Sequence, residues 1–181
     1  MKNESKIVDL LLFENVIHRD FRGEFMEWIN PEILLKIMKF KPAQINIVRS
    51  GKDVIRGLHT NTKGNMQLKF ITCLEGVIND IALDLRPKSK TFGKMETFTL
   101  SAKNGLSLLI PKGFAHGYSV ISREALVMYA VSKKYEPSTE VQINPLDLSL
   151  NIDWKINKKP MLSKQDLHAV SFKEYLLQSN L

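Results

Sequence analysis

Arg56, His59, Lys69 and His116 stand in apolar, strand-like stretches of this chain, where charge is costly to place. Arg56 and His59 belong to Val54-Ile55-Arg56-Gly57-Leu58-His59, and Lys69 to Met66-Gln67-Leu68-Lys69-Phe70-Ile71. His116 follows the turn Pro111-Lys112-Gly113, in Phe114-Ala115-His116-Gly117-Tyr118. An ionisable group among Val, Ile, Leu and Phe must be paired or must serve chemistry. Several of them in short strands point to a barrel with a polar reaction chamber inside. Acid–base chemistry suits these residue types. A histidine near its ordinary pKa takes a proton at neutral pH, and a tyrosine held opposite can give one. Tyr129 is the only polar side chain of Ala125-Leu126-Val127-Met128-Tyr129-Ala130-Val131. A core tyrosine with a satisfied hydroxyl is the competing reading. Lys69 either snorkels outward or points inward, where an ammonium stabilises an enolate oxygen.

A metal centre is the rival chemistry. Gly57 stands two residues before His59 and Asn61 two after it, so the chain lacks a His-x-His pair, and no carboxylate lies at ligand spacing. The expectation is that there is no metal and no cofactor. His18 and His168 lie in polar surroundings and are expected at the surface.

Short strands must position these residues. The segments 44–48, 54–59, 68–74, 77–85, 96–100, 107–110, 117–121 and 125–131 read as strands. Turn signals separate them, among them Ser50-Gly51-Lys52-Asp53, Glu75-Gly76 and Lys103-Asn104-Gly105. This spacing predicts a mainly β fold, a barrel or jelly roll. One helix is predicted near 31–40, with Asn30 as cap and Pro31 in its first turn. Another is predicted in the C-terminal tail, capped by Ser163 and continuing through 172–177. Along one barrel strand Arg56 and His59 face opposite ways, unless the strand bulges at Gly57.

The 181 residues are expected to form one domain, 1–181. Hydrophobic content of 44% with 25% charged residues is that of a soluble globular protein. The lone Cys73 sits in an apolar run and reads as a small buried hydrophobe. The segment 7–13 is too short to span a bilayer and lacks a signal-type cleavage pattern, so a cytoplasmic setting is expected. A net charge of +7 arises from scattered lysines without any nucleic-acid-binding signature. A basic surface attracting a phosphorylated small molecule accounts for it, with no nucleic acid and no membrane as partner.

Together these stretches resemble the dTDP-4-dehydrorhamnose 3,5-epimerase family. The resemblance runs in order through Asp20-Phe21-Arg22-Gly23-Glu24-Phe25, Gln44-Ile45-Asn46, Arg56-Gly57-Leu58-His59 and Gln67-Leu68-Lys69. It continues through Asp84-Leu85-Arg86, Pro111-Lys112-Gly113-Phe114-Ala115-His116-Gly117, Tyr135-Glu136-Pro137 and Leu162-Ser163-Lys164-Gln165-Asp166. It implies a cupin-like jelly-roll β-barrel and a metal-independent epimerase of nucleotide-linked 4-keto-6-deoxy sugars. His59 falls on the family's base, Asp166 on its hydrogen-bonded partner, Lys69 on the lysine near the keto oxygen, and Tyr129 on the acid. Arg22, Glu27, Gln44, Asn46, Arg56, His116 and Glu140 fall on positions that hold the nucleotide diphosphate and sugar. Tyr135 matches an aromatic near the base. The resemblance leaves open whether C3, C5 or both are inverted, and a non-catalytic sugar-nucleotide binder is the reading from another class. Family members commonly carry Gln where this chain has Asn61, and Lys where it has Gln165. The resemblance also implies a homodimer that exchanges N-terminal strands, here 7–13, which would cover open sheet edges.

Overall fold

Alternation of apolar and polar side chains across the middle of the chain produces two facing antiparallel sheets. The computed structural model describes residues 5–7, 9–37 and 39–179. The first sheet runs in the order β1 (Leu11–Glu14), β9 (Leu106–Ile110), β6 (Lys69–Glu75), β11 (Glu124–Val131) and β4 (Gln44–Gly51). The second runs β12 (Glu140–Gln142), β5 (Ile55–Asn61), β10 (Phe114–Val120), β7 (Val77–Asp84) and β8 (Met95–Ser101). A hairpin, β2 (Ile17–Asp20) and β3 (Gly23–Met26), stands apart from both. This is the mainly β, cupin-like arrangement that the strand spacing and the resemblance implied.

Side chains two apart on each strand share a face. Ile71 and Cys73 of β6, Ile78 and Ala82 of β7, Tyr118 and Val120 of β10, and Val127 of β11 fill the space between the sheets. The outer face of the second sheet is covered as well. Ile55, Leu58, Ile81, Leu83 and Ala115 pack against Ile143, Leu150, Trp154 and Tyr175 of the C-terminal segment. Phe70, Leu109 and Ala130 of the first sheet pack against Leu34 and Phe40. Sheets covered on both faces explain why several strands read as nearly continuous apolar runs.

The predicted strands between 44 and 131 are all present, with ends shifted by a few residues. The strand predicted at 117–121 begins earlier, at Phe114, directly after the Pro111-Lys112-Gly113 turn. The predicted helix at 31–40 is a single wide turn, Ile33–Ile37. Asn30 does cap it, accepting the Glu32 N–H at 2.8 Å, and the Phe40 N–H closes it on the Leu34 carbonyl. Met38 lies outside the described residues. The C-terminal helix is two short ones, α1 (Lys164–Leu167) and α2 (Phe172–Gln178), each started by a serine cap. Val170 separates them by bridging to Ile143. Of the N-terminal strand predicted at 7–13, Val8 lies outside the described residues. Leu11–Glu14 pairs with β9 of the same chain, while Ile7 and Leu10 pack into the inner core.

Candidate active site

The bulge at Gly57 brings the two most informative residues together. His59 pairs with His116 and Arg56 with Tyr118, so three steps along β5 span two along β10. The extra residue turns Arg56 and His59 to the same side. Gly57 has φ of +116°, and a Cβ there would lie 2.6 Å from both the Gly117 Cα and the His116 carbonyl oxygen. Only glycine fits so close an approach.

Inward-facing residues from six strands line a cavity of about 410 Å³ at one end of the barrel. β4 supplies Gln44 and Asn46; β5 supplies Arg56, His59 and Asn61; β6 supplies Lys69. β10 supplies His116 and Tyr118, β11 Tyr129, and β12 Glu140. Tyr135 closes it from a loop and Asp166 from α1. Ten of the twelve residues expected from sequence therefore meet: His59, Tyr129, Asp166, Lys69, Gln44, Asn46, Arg56, His116, Tyr135 and Glu140.

Arg22 and Glu27 do not. Arg22 sits at the tip of the β2–β3 hairpin, where its backbone N–H and guanidinium bond Asp20. Glu27 borders a separate cleft with Phe25, Trp28 and Phe70. The exposed hairpin carries both away from their own chain's cavity.

His59 Nε2 lies 2.7 Å from Asp166 Oδ1. A carboxylate only accepts, so Nε2 carries a proton, and in the neutral ring the lone pair is on Nδ1. Asp166 is 2% exposed. Its second oxygen accepts from the Ser163 hydroxyl at 2.8 Å, and its N–H donates back to that hydroxyl at 3.0 Å. The serine that starts α1 thus also fixes the carboxylate. His59 Nδ1 lies 3.9 Å from Glu140 Oε1. Glu140 Oε2 in turn accepts from the Tyr135 hydroxyl and the Gln142 amide, each at 3.1 Å.

Lys69 points inward. Burial pushes its ammonium pKa down, and the carboxylates of Glu140 and Asp80 work against that fall. Tyr129 faces the cavity from the opposite sheet to His59. Burial raises its phenol pKa, and Arg56 opposes the rise. Arg56 is aimed by Ser50, whose hydroxyl accepts from Nε at 2.9 Å.

Sequence reasoning missed three contributors. Asp80, fully buried, accepts from His116 Nε2 at 2.9 Å. It stands two residues from Ile78 and Ala82, and that inward alternation was the available signal. Ser50 and Tyr118 were read as a turn residue and a strand aromatic. No group of three or more His, Cys, Asp or Glu side chains among the described residues is arranged to hold a metal ion.

The family profile of dTDP-4-dehydrorhamnose 3,5-epimerase matches residues 4–174. A dTDP-4-dehydrorhamnose 3,5-epimerase of Shigella flexneri is 38% identical over 171 residues, covering 93% of this chain and 94% of its own. A dTDP-4-dehydro-6-deoxyglucose 3-epimerase of Streptomyces bikiniensis is 32% identical over 158 residues, covering 86% of this chain and 81% of its own. Among solved structures, dTDP-6-deoxy-D-glucose-3,5-epimerase from Legionella pneumophila, in complex with dTDP-4-keto-L-rhamnose, superposes with a TM-score of 0.88. It is 35% identical and covers 93% of this chain and 90% of its own.

Proposed function

This chain belongs to the dTDP-4-dehydrorhamnose 3,5-epimerase family, and on that premise we propose that it inverts C3 and C5 of a dTDP-linked 4-keto-6-deoxyhexose in deoxysugar biosynthesis. One observation carries the reading: His59, oriented by Asp166, and Tyr129 line the same cavity from opposite sheets, with Lys69 also in its wall. Inversion needs a base and an acid on opposite faces of a planar intermediate.

The steps balance without redox chemistry. His59 Nδ1 takes the proton alpha to the C4 ketone, and the C–H electron pair moves into an enolate. Asp166 steadies the imidazolium so formed. The Lys69 ammonium holds the enolate oxygen, where charge develops. Tyr129 then gives its proton to the opposite face of the same carbon and the ketone re-forms; the phenolate is reprotonated from solvent, and the His59 imidazolium releases its proton to solvent. The ketone acidifies both C3 and C5 hydrogens, so one site serves both carbons. Arg56 and His116, with Gln44, Asn46, Tyr135 and Glu140, hold the sugar and its diphosphate, and the basic surface favours the anionic substrate.

We further propose that one domain carries the activity in the cytoplasm, as a homodimer. Arg22 and Glu27 then keep their substrate-binding role through a second copy, reached by the exposed β2–β3 hairpin. A 3-epimerase among the relatives favours a second reading in which C3 alone is inverted. Incubating a dTDP-4-keto-6-deoxyglucose substrate in deuterium oxide separates the two. Deuterium at C3 and C5 is expected. Label at C3 alone supports the mono-epimerase, and no exchange leaves only a binding protein.

A further inference from the structure

Tyr118 lines the same cavity as Tyr129 but has no place in the chemistry above. It is 4% exposed, and its hydroxyl makes no hydrogen bond among the described residues. A buried donor without an acceptor costs stability. Ser50 lies within reach of that hydroxyl, but its Oγ is aligned with Arg56 Nε and makes no well-formed bond to Tyr118. β10 and β11 belong to opposing sheets, so Tyr118 and Tyr129 approach one interior from two sides. Burial pushes the Tyr118 phenol up to about 12, with Arg56 and Ser50 opposing and Tyr129 adding to the rise. Tyr118 therefore keeps its proton and can act as a donor throughout the reaction.

We propose that Tyr118 is a positioning residue for Tyr129, donating its unused hydrogen bond to the Tyr129 oxygen as that oxygen gives its proton to the sugar. The inference rests on the reading of Tyr129 as the acid. In that step the Tyr129 O–H bond breaks, its proton forms the new C–H bond with the enolate's π pair, and the O–H pair stays on Tyr129 as phenolate. A phenolate in this half-buried wall needs donors. Arg56 favours it through its charge and Asn46 through a side-chain hydrogen bond; Tyr118, facing it from the other sheet, is the further donor. A hydrogen bond made only as charge develops lowers the barrier without tightening the resting complex. The orphaned hydroxyl thus meets its strongest acceptor at the stage where charge develops on Tyr129.

The test is Tyr118→Phe, which keeps the ring and removes the donor, assayed beside Tyr129→Phe with the dTDP-linked keto sugar in deuterium oxide. For Tyr118→Phe, inversion should fall about 10²-fold with KM unchanged. Deuterium wash-in by His59 on its own face should continue at the wild-type rate. Thermal denaturation should show Tm raised by about 2–4 °C, because a buried unpaired hydroxyl is gone. A parallel loss of inversion and wash-in would reveal a packing role and overturn the inference. So would a fall in Tm, since the hydroxyl would then be bonded in the resting protein. If Tyr118→Phe inverts normally while Tyr129→Phe does not, only the Tyr118 inference fails. If Tyr129→Phe inverts normally, the acid assignment fails and this inference with it.

Discussion

His59 and His116 stand opposite each other on paired strands, and each commits Nε2 to a buried carboxylate, Asp166 Oδ1 at 2.7 Å and Asp80 Oδ2 at 2.9 Å. The two pairs differ in what holds them. Asp80 comes from the neighbouring strand β7 of the same sheet. Asp166 comes from α1, 107 residues along the chain from His59. The His59 pair therefore forms only once the C-terminal segment has folded back over the second sheet.

That dependence gives the first prediction. His59→Ala should lower turnover by about 10²–10⁴-fold while nucleotide-sugar binding survives. Asp166→Asn should lose less, because it disturbs the histidine's tautomer without removing the base. Steady-state kinetics with calorimetric binding checks both. Normal turnover in His59→Ala would remove the mechanism.

Gly57→Ala tests the bulge. The added Cβ meets backbone atoms at 2.6 Å and the φ of +116° disfavours any side chain. Destabilisation of more than about 1 kcal/mol is expected in denaturant unfolding. Activity should fall further than stability alone explains, since Arg56 and His59 can no longer share one side. A fully active, equally stable variant would contradict the bulge as the device that assembles the site.

Much of this was legible because a barrel interior has period two. Ionisable residues in apolar strands marked Arg56, His59, Lys69 and His116 as candidates, the resemblance added Gln44 and Asn46, and the turns between the strands were explicit. Sequence left Lys69 and Tyr129 undecided between cavity and core, because alternation gives two faces without saying which is inside. Arg56 and His59 needed the bulge, a property of pairing with β10. Strands β2, β3 and β12 went unread since each is only 3–4 residues long. The helix at 31–40 shrank to one turn because docking Leu34 and Phe40 on the first sheet outweighed helical periodicity. The resemblance marked Arg22 and Glu27 as ligand contacts, yet a motif cannot say in which copy's cavity a residue works.

Asp84 sets a pH dependence of stability. Burial pushes its carboxyl up, but hydrogen bonds from Arg86, Ser89, Thr91 and the Arg86 N–H outweigh that and hold it at about 2, against an ordinary 3.8. A depressed carboxylate contributes stability above its unfolded pKa and loses it as pH falls through the folded one. Here that is about 2 kcal/mol at neutral pH, lost between about pH 4 and pH 2. Asp84→Asn should therefore be destabilised at pH 7 and converge with the wild type below about pH 2. Urea unfolding across that range checks it; a constant difference would contradict the assignment.

Chelation should leave activity intact. Among the described residues no three His, Cys, Asp or Glu side chains are arranged to hold a metal ion, and the chain lacks a His-x-His pair. The keto group supplies the acidity that a Lewis acid would otherwise provide. Assays after exhaustive treatment with EDTA should match untreated enzyme. A stoichiometric metal that restores lost activity would sink the proposed mechanism.

The last prediction is the homodimer. β4 is an edge strand of the first sheet, with Ile45 and Ile47 57% and 62% exposed on its outer face. The β2–β3 hairpin adds Phe25 at 67% and Phe21 at 98% exposure. Large apolar side chains exposed on an open sheet edge and on a projecting hairpin are what an interface covers. Leu11–Glu14, the other edge strand of that sheet, pairs with β9 of its own chain; the hairpin and β4 offer a further surface to a second copy. Light scattering should give twice the 20.7 kDa of one chain. Ile45→Lys with Ile47→Lys should shift the mass toward monomer and raise KM, because Arg22 and Glu27 would no longer reach the second cavity. A wild-type monomer at micromolar concentration would overturn the dimer. A monomeric variant with unchanged KM would remove Arg22 and Glu27 from the site.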